Sequence, residues 1–255
     1  MKIENAVAIV TGGASGLGEA ALRGILARGG KAAILDIADD KGARLVAELG
    51  ASVIYCRTDV ANEDDVAKAV AATAAKFGTV NVAVNAAGIA PSARTVGKKG
   101  PAGLADFERV VRVNLTGTFN VIRLAAARMI ENAPDADGER GVIVNTASIA
   151  AFEGQIGQAA YAASKAGVVG MTLPVARDLA GYGIRNVTIA PGIFDTPMMA
   201  TIAPDIREAL GKSVPFPQRL GRPDEFGAMV VHVIENSMLN GETIRLDGAM
   251  RMAAK

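Results

Sequence analysis

Seven short runs rich in valine and isoleucine recur along the chain with longer helical patterns between them, and this alternation constrains the fold more than any other feature. The runs are Val7–Thr11, Ala32–Asp36, Ser52–Cys56, Val82–Asn85, Val142–Thr146, Val187–Ala190 and Thr243–Leu246. Their unbroken apolar character is that of strands buried on both faces. Between them apolar residues fall at helical spacing, as in Val66, Val70, Ala74 and Phe77 behind the start signal Asn62-Glu63-Asp64-Asp65. Strands joined by crossover helices imply right-handed connections, with helices on both faces of a mainly parallel sheet. The predicted fold is therefore α/β, a doubly wound seven-stranded sheet in a single domain over residues 1–255. No linker, composition break or internal repeat divides the chain. Two stretches interrupt the rhythm, Pro91–Gly103 and Phe194–Pro217, and loops of that length usually carry function.

Charge removes several classes of function. With 27 basic and 26 acidic residues the net charge is +1, so no global field attracts nucleic acid or an anionic membrane, and neither is expected as a partner. One cysteine excludes a disulfide within the chain. Together with one histidine, it leaves little for a zinc site or a histidine triad, so no metal is expected. His232 lies in the apolar run Val230–Ile234 and reads as a packed or interface histidine, and Cys56 reads as core. The segment Met1–Asn5 leads into an apolar run of about five residues, too short for a signal-peptide core or a membrane span. The expectation is a cytoplasmic protein, although removal of a transit peptide would leave the same sequence.

Thr11-Gly12-Gly13-Ala14-Ser15-Gly16-Leu17-Gly18 follows the first strand and opens the first helix. Glycines there let the backbone turn sharply and approach a pyrophosphate, which the helix N-terminus then faces. Asp36 ends the second strand about twenty residues on, where a carboxylate accepts hydrogen bonds from an adenosine ribose and repels a 2′-phosphate. No arginine or lysine lies in the glycine loop and Ile37 follows Asp36, so no nearby counter-charge for that phosphate is expected. NAD is favoured over NADP. Asp59-Val60 after the third strand is placed to take the adenine edge, and Asn85-Ala86-Ala87-Gly88 at the end of the fourth offers small residues for close cofactor approach.

Tyr161 and Lys165 stand four residues apart, hence one turn apart on the same helix face. A phenol has an ordinary pKa of ~10 and becomes a useful base near neutrality only beside positive charge, which Lys165 and an oxidised nicotinamide supply. Ser148 follows the strand Gly141–Thr146, at the same sheet edge, where its hydroxyl can hold the reacting oxygen.

In order along the chain, Thr11–Gly18, Asn85-Ala86-Ala87-Gly88, Asn114, Ser148, Tyr161-x-x-x-Lys165 and Pro191-Gly192 resemble the signatures of the short-chain dehydrogenase/reductases over essentially the whole length. The resemblance implies a Rossmann-type NAD site and an oxidoreductase. In that family the residue matching Tyr161 is the acid/base. The one matching Lys165 binds the nicotinamide ribose and lowers the tyrosine pKa, and the one matching Ser148 positions the substrate. Asn114 matches an asparagine that supports a water-linked proton relay. Three further segments, Asn145–Gln155, Val214–Gly221 and Leu239–Ala249, are similar to the type 2 3-hydroxyacyl-CoA dehydrogenase subgroup, also described as 17β-hydroxysteroid dehydrogenase type 10. So is the paired-lysine insertion Val96–Gly100. By that resemblance Ser15, Leu17, Asp36, Asp59, Val60, Ala86, Phe194 and Thr196 line the NAD site, beside Gly12, Gly16, Gly18, Asn85, Gly88 and Pro191. The subgroup often has cysteine at the position of Ala86, a change that leaves a backbone contact intact.

The implied reaction interconverts 3-hydroxyacyl-CoA and 3-oxoacyl-CoA by hydride transfer, with Gln155 near the reacting carbon and Met198, Met199 and Ile202 as an apolar wall. Arg94, Lys98 and Lys99 are candidates for CoA phosphates, and a solvated loop accounts for them equally well. Competing readings are a hydroxysteroid dehydrogenase, a 3-oxoacyl-carrier-protein reductase, which usually prefers NADPH, and, outside enzymes, a cofactor-sensing scaffold. The family resemblance also implies a homotetramer built on the helices matching Leu104–Asn132 and Tyr161–Ala180, plus C-terminal contacts. The subgroup points to fatty acid metabolism, with branched-chain amino acid breakdown equally open.

Overall fold

The computed structural model describes residues 1–254 apart from Lys99, Met198 and the side chain of Thr201. In chain order the elements are β1 (Val7–Thr11), α1 (Gly16–Leu26), β2 (Lys31–Asp36), α2 (Asp39–Leu49), β3 (Val53–Arg57), α3 (Glu63–Phe77), β4 (Val82–Asn85), β5 (Val96–Gly97), β6 (Gly100–Pro101), α4 (Leu104–Val111), α5 (Gly117–Met129), β7 (Gly141–Thr146), α6 (Ala159–Ala180), β8 (Ile184–Pro191), α7 (Pro204–Lys212), α8 (Pro223–Glu235) and β9 (Thr243–Leu246). Seven strands form one sheet in the order β3-β2-β1-β4-β7-β8-β9. Every pairing in it is parallel.

Alternation along the strands explains the two layers of helices. Ala8 and Val10 of β1, with Val142 and Val144 of β7, pack against Leu22 and Ile25 of α1 and Phe226, Val230 and Ile234 of α8. The intervening Ile9 and Ile143 join Val66 of α3, Ile122 and Met129 of α5 and Val175 of α6 on the other face. Successive side chains of a strand point to opposite faces, so a sheet covered on both sides needs apolar residues at every position.

Differences from the sequence reading have local causes. β8 begins at Ile184, earlier than the expected Val187, because Arg185 and Asn186 are polar yet buried. Arg185 pairs with buried Glu139 and donates to the carbonyls of Val233, Ile234, Asn236 and Leu239 around the end of α8. The two interrupting stretches hold more order than expected: β5 and β6 pair antiparallel in the first, and α7 lies in the second. His232 is exposed on the outer side of α8 beside Asn236, since its neighbours Val231 and Val233 take the inward positions. It is not packed in the core. Cys56 is half-buried, and burial pushes its thiol up.

Between α4 and α5 the helix widens to a π turn over Arg112–Thr116 that carries Asn114. Such one-turn bulges re-aim side chains. No helix among the described residues is long and apolar enough to cross a membrane.

Candidate active site

A cleft of about 730 Å³ opens along the C-terminal ends of the strands, where a doubly wound sheet presents its loops. Gly12, Ser15, Gly16, Leu17 and Gly18 line one end of it. Gly12 takes φ +62°, and a side chain at Gly18 would meet the Gly12 carbonyl oxygen at 2.3 Å, so this tight loop closes only with glycine at both positions. Asp36 and Ile37 rim the same end. The Asp36 carboxylate is already aimed, because its oxygens accept from the backbone N–H of Ala14 (3.1 Å) and of Ala38 (3.0 Å). Asp59 and Val60 complete this wall. An N-terminal helix turn, a glycine cradle and a fixed carboxylate in this order fit the pyrophosphate and ribose of a dinucleotide.

One expectation is corrected at this rim. The sequence reading finds no cation beside Asp36, but the register of β2 and β3 sets Arg57 opposite it. The Arg57 guanidinium donates to the Ile37 carbonyl and to Asp39, both at 2.9 Å. Two strands twenty residues apart in sequence bring it there, which a search of the glycine loop alone cannot reveal.

At the centre of the cleft stand Ser148, Tyr161 and Lys165. Lys165 is buried beneath its own helix, and its Nζ donates to the Thr146 carbonyl at 2.7 Å and lies 5.8 Å from the centre of the Tyr161 ring. Burial pulls this ammonium down to about 8. Burial also pushes the Tyr161 phenol up, and the Ser148 hydroxyl opposes that shift. The sequence reading expects a lowered phenol. In the protein alone desolvation dominates, so further positive charge beside the phenol is needed to reverse the direction. Ser148 caps the short 3-10 turn Ile149–Ala151, and its Oγ accepts from the Ala150 N–H at 3.1 Å. That leaves the hydroxyl proton free to point into the cleft.

Asn114 and Asn85 lie beneath the cleft rather than on its surface. Asn114 clamps the Ile89 backbone, accepting from its N–H at 2.8 Å and donating to its carbonyl at 2.9 Å. It also donates to the Ser164 Oγ, which in turn donates to the Tyr161 carbonyl. Asn85 donates to Asn145, which donates to Asn186, forming a buried polar ladder across β4, β7 and β8. Thr11 Oγ1 accepts from the N–H groups of Ala86 and Ala87 and so holds the small-residue turn Ala86–Gly88 at the cleft wall.

Gln155, Pro191, Phe194, Met199 and Ile202 line the rest of the cleft, and Thr196 reaches back to the glycine loop, where a side chain at Gly16 would meet it at 3.7 Å. The Gln155 side-chain amide is engaged by the C-terminal tail, donating to the Ala253 carbonyl at 3.0 Å. The Ile156 N–H donates to Ala254 in the same way. The tail is held by Arg245, which forks onto both Glu153 oxygens at 2.8 and 2.9 Å and also binds Asp247. Met252 of the tail therefore lines the cleft, as do Arg109, Gln158 and Ile193. Sequence reasoning missed these four: Arg109 and Met252 arrive from distant segments, whereas Gln158, at the start of the helix bearing Tyr161, and Ile193, directly after Pro191-Gly192, lie within reach of motifs read in the sequence. Arg94 and Lys98 are exposed and outside the cleft lining, with Arg94 next to Ala93, whose N–H donates to Gly157. Lys99 and Met198 lie outside the described residues. No group of three histidine, cysteine or acidic residues that could hold a metal ion occurs among the described residues.

Residues 6–207 match the family model described as short chain dehydrogenase. A 3-hydroxyacyl-CoA dehydrogenase type-2 from Bos taurus is 54% identical over 252 residues, covering 98% of this chain and 97% of that protein. The crystal structure of 3-hydroxyacyl-CoA dehydrogenase type-2 from Mycobacterium avium superposes with a TM-score of 0.95 at 45% identity, covering 99% of this chain and 98% of the other. A 3-ketoacyl-(acyl-carrier-protein) reductase from Brucella melitensis, complexed with NADH, superposes with a TM-score of 0.86 at 31% identity, covering 97% of this chain and 98% of that one.

Proposed function

Because this chain belongs to the short-chain dehydrogenase family, we propose that it is an NAD-dependent enzyme interconverting 3-hydroxyacyl-CoA and 3-oxoacyl-CoA. The observation that carries the reading is the convergence of Ser148, Tyr161 and buried Lys165 on one cleft whose far end holds the glycine loop and Asp36. When bound, the nicotinamide supplies the hydride acceptor in one direction and the hydride donor in the other. Tyr161 takes the alcohol proton, or returns it in reduction. Ser148, its Oγ fixed by the Ala150 N–H, donates to the substrate oxygen as that atom gains carbonyl character. Lys165, held by the Thr146 carbonyl, binds the ribose and adds positive charge near the phenol. Asn114 acts through the Ile89 backbone and Ser164 rather than by touching substrate.

Support for an acyl-CoA comes from the similarity to the type-2 enzymes and from the apolar residues Met199, Ile202 and Met252 at the substrate end. The loop bearing Arg94 docks on Gly157, close to Gln155, which favours its cations as contacts for CoA phosphates. Coenzyme alone does not separate this activity from acyl-carrier-protein reduction, since the Brucella reductase is itself complexed with NADH. The fuller reading is a cytoplasmic homotetramer serving fatty acid metabolism. Exposed Leu104 and Phe107 on α4, Phe119 on α5 and Leu173 on α6 support assembly through those helices. Following the NADH absorbance band with acetoacetyl-CoA, its acyl-carrier-protein counterpart and a steroid ketone tests the substrate. Preference for acetoacetyl-CoA is expected, and turnover confined to either alternative would overturn the acyl-CoA reading.

A further inference from the structure

Beside the adenosine end of the cleft, the side chains of Tyr55, Asp39 and Arg57 form a polar cluster that the reaction does not use. Arg57 Nη1 donates to the Ile37 carbonyl and to Asp39 Oδ2, both at 2.9 Å. The other Asp39 oxygen and the Asp36 carbonyl each lie 2.8 Å from the Tyr55 hydroxyl, whose single proton serves one of them at a time. Asp39 is thus held from two sides, and it holds Arg57 in turn. Asp36 and Ile37, which bracket this cluster, both line the cleft.

We propose that Asp39 is a second determinant of coenzyme choice: it neutralises and fixes Arg57, withholding from the adenosine rim a cation able to receive a ribose 2′-phosphate. Asp36 then excludes the same phosphate directly, by repulsion and by occupying the Ala14 and Ala38 N–H groups. Removing the carboxylate at position 36, as in Asp36→Ser, frees the Ala14 amide from it, and such amides are anion donors but carry no full charge. The missing charge stands one hydrogen bond away, on the Ile37 carbonyl. A guanidinium there can fork onto a phosphate as a lysine cannot. The Arg57–Asp39 pair is 63% and 60% exposed, so its holding power is small, and what Asp39 chiefly withholds is net positive charge: its carboxylate stands against the guanidinium and repels an incoming phosphate. Asparagine at position 39 removes that charge while keeping an acceptor for Tyr55.

This inference rests on the dinucleotide reading above, and calorimetric titration separates the two. The ligands are NADH, NADPH, 5′-AMP and adenosine 2′,5′-bisphosphate. The proteins are the unmodified chain, Asp36→Ser, Asp36→Ser with Asp39→Asn, and that pair with Arg57→Ala. Asp36→Asn, which keeps an acceptor for the Ala38 amide, serves as a second background. Asp36→Ser is expected to weaken NADH and admit NADPH poorly. Adding Asp39→Asn should tighten NADPH and the bisphosphate by roughly tenfold, the worth of one charge-assisted contact, leaving 5′-AMP unchanged. Arg57→Ala should abolish that gain, and rising salt should shrink it. A double variant no tighter than Asp36→Ser in either background, or a gain that survives Arg57→Ala, overturns the role of Asp39 while NADH binding by the unmodified chain still stands. Failure of the unmodified chain to bind NADH and 5′-AMP overturns both readings.

Discussion

The two ends of the cleft are built by different means. At the adenosine end, backbone does most of the work: a glycine loop of eight residues, a helix N-terminus and one carboxylate tied to two amides. At the substrate end, the wall is assembled from the turn after β7, the segment containing α7 and a C-terminal tail pinned by Arg245. Recognition of a constant ligand can rest on invariant backbone geometry, whereas recognition of a variable one is left to side chains on loops over a rigid sheet.

If the ends are separable, chemistry at their junction can be removed without loss of the dinucleotide. Tyr161→Phe is expected to lower turnover by about 10²–10⁴-fold while the NADH dissociation constant stays within twofold or so, because general acid–base catalysis contributes on that scale and the lost hydroxyl leaves the ring in place. Stopped-flow turnover and calorimetry read the two numbers, and normal turnover would reject the role of Tyr161.

A buried charge under the junction links both ends to pH. Lys165 has its folded value drawn down to about 8 by burial, below that of the unfolded chain, so the unfolded state binds more protons between the two values. Stability should therefore rise as pH climbs above about 8 and be flat below it. Relative to Lys165→Met, urea unfolding between pH 8 and 10 should gain roughly 2–3 kcal/mol, before titration of tyrosines in the unfolded chain intervenes. Parallel curves for the two proteins would mean that the ammonium is not desolvated.

The smallest effect belongs to the tail. Arg245→Ala cuts its tie to Glu153, whose carboxyl that guanidinium holds below the usual range. With Gln155 and Met252 no longer braced, KM for acetoacetyl-CoA should rise by roughly tenfold at nearly constant kcat and NADH affinity, the pattern of lost ground-state binding. An equal loss of NADH affinity would show that the two ends are one mechanical unit.

The same contrast explains what could be read in advance. Gly12, Gly18, Asp36, Tyr161 and Lys165 announce themselves through spacing within one turn or one strand-turn-helix unit. Both helical layers follow from strands apolar at every position. Arg57 required strand register, Met252 a tail returning across about a hundred residues of chain to Gln155, and β8 a buried arginine whose partners are helix carbonyls and Glu139. A polar residue in a run normally ends a predicted strand; only its partners reveal that it continues. α7 was obscured by the prolines and methionines around it, although Pro204 at its first turn is a recognised start signal.

The widened turn at Arg112–Thr116 has a consequence for how such a gene can change. A π turn bonds residue i to i+5 where an α turn bonds i to i+4, so it takes up one residue more and leaves the helix upstream facing as it would on a rod one residue shorter. Tightening the turn at unchanged length would instead swing Leu104 and Phe107 by about 100°, the advance of one residue, and break the grip of Asn114 on Ile89. The bulge thus absorbs an added codon without changing the phase between two halves of one rod.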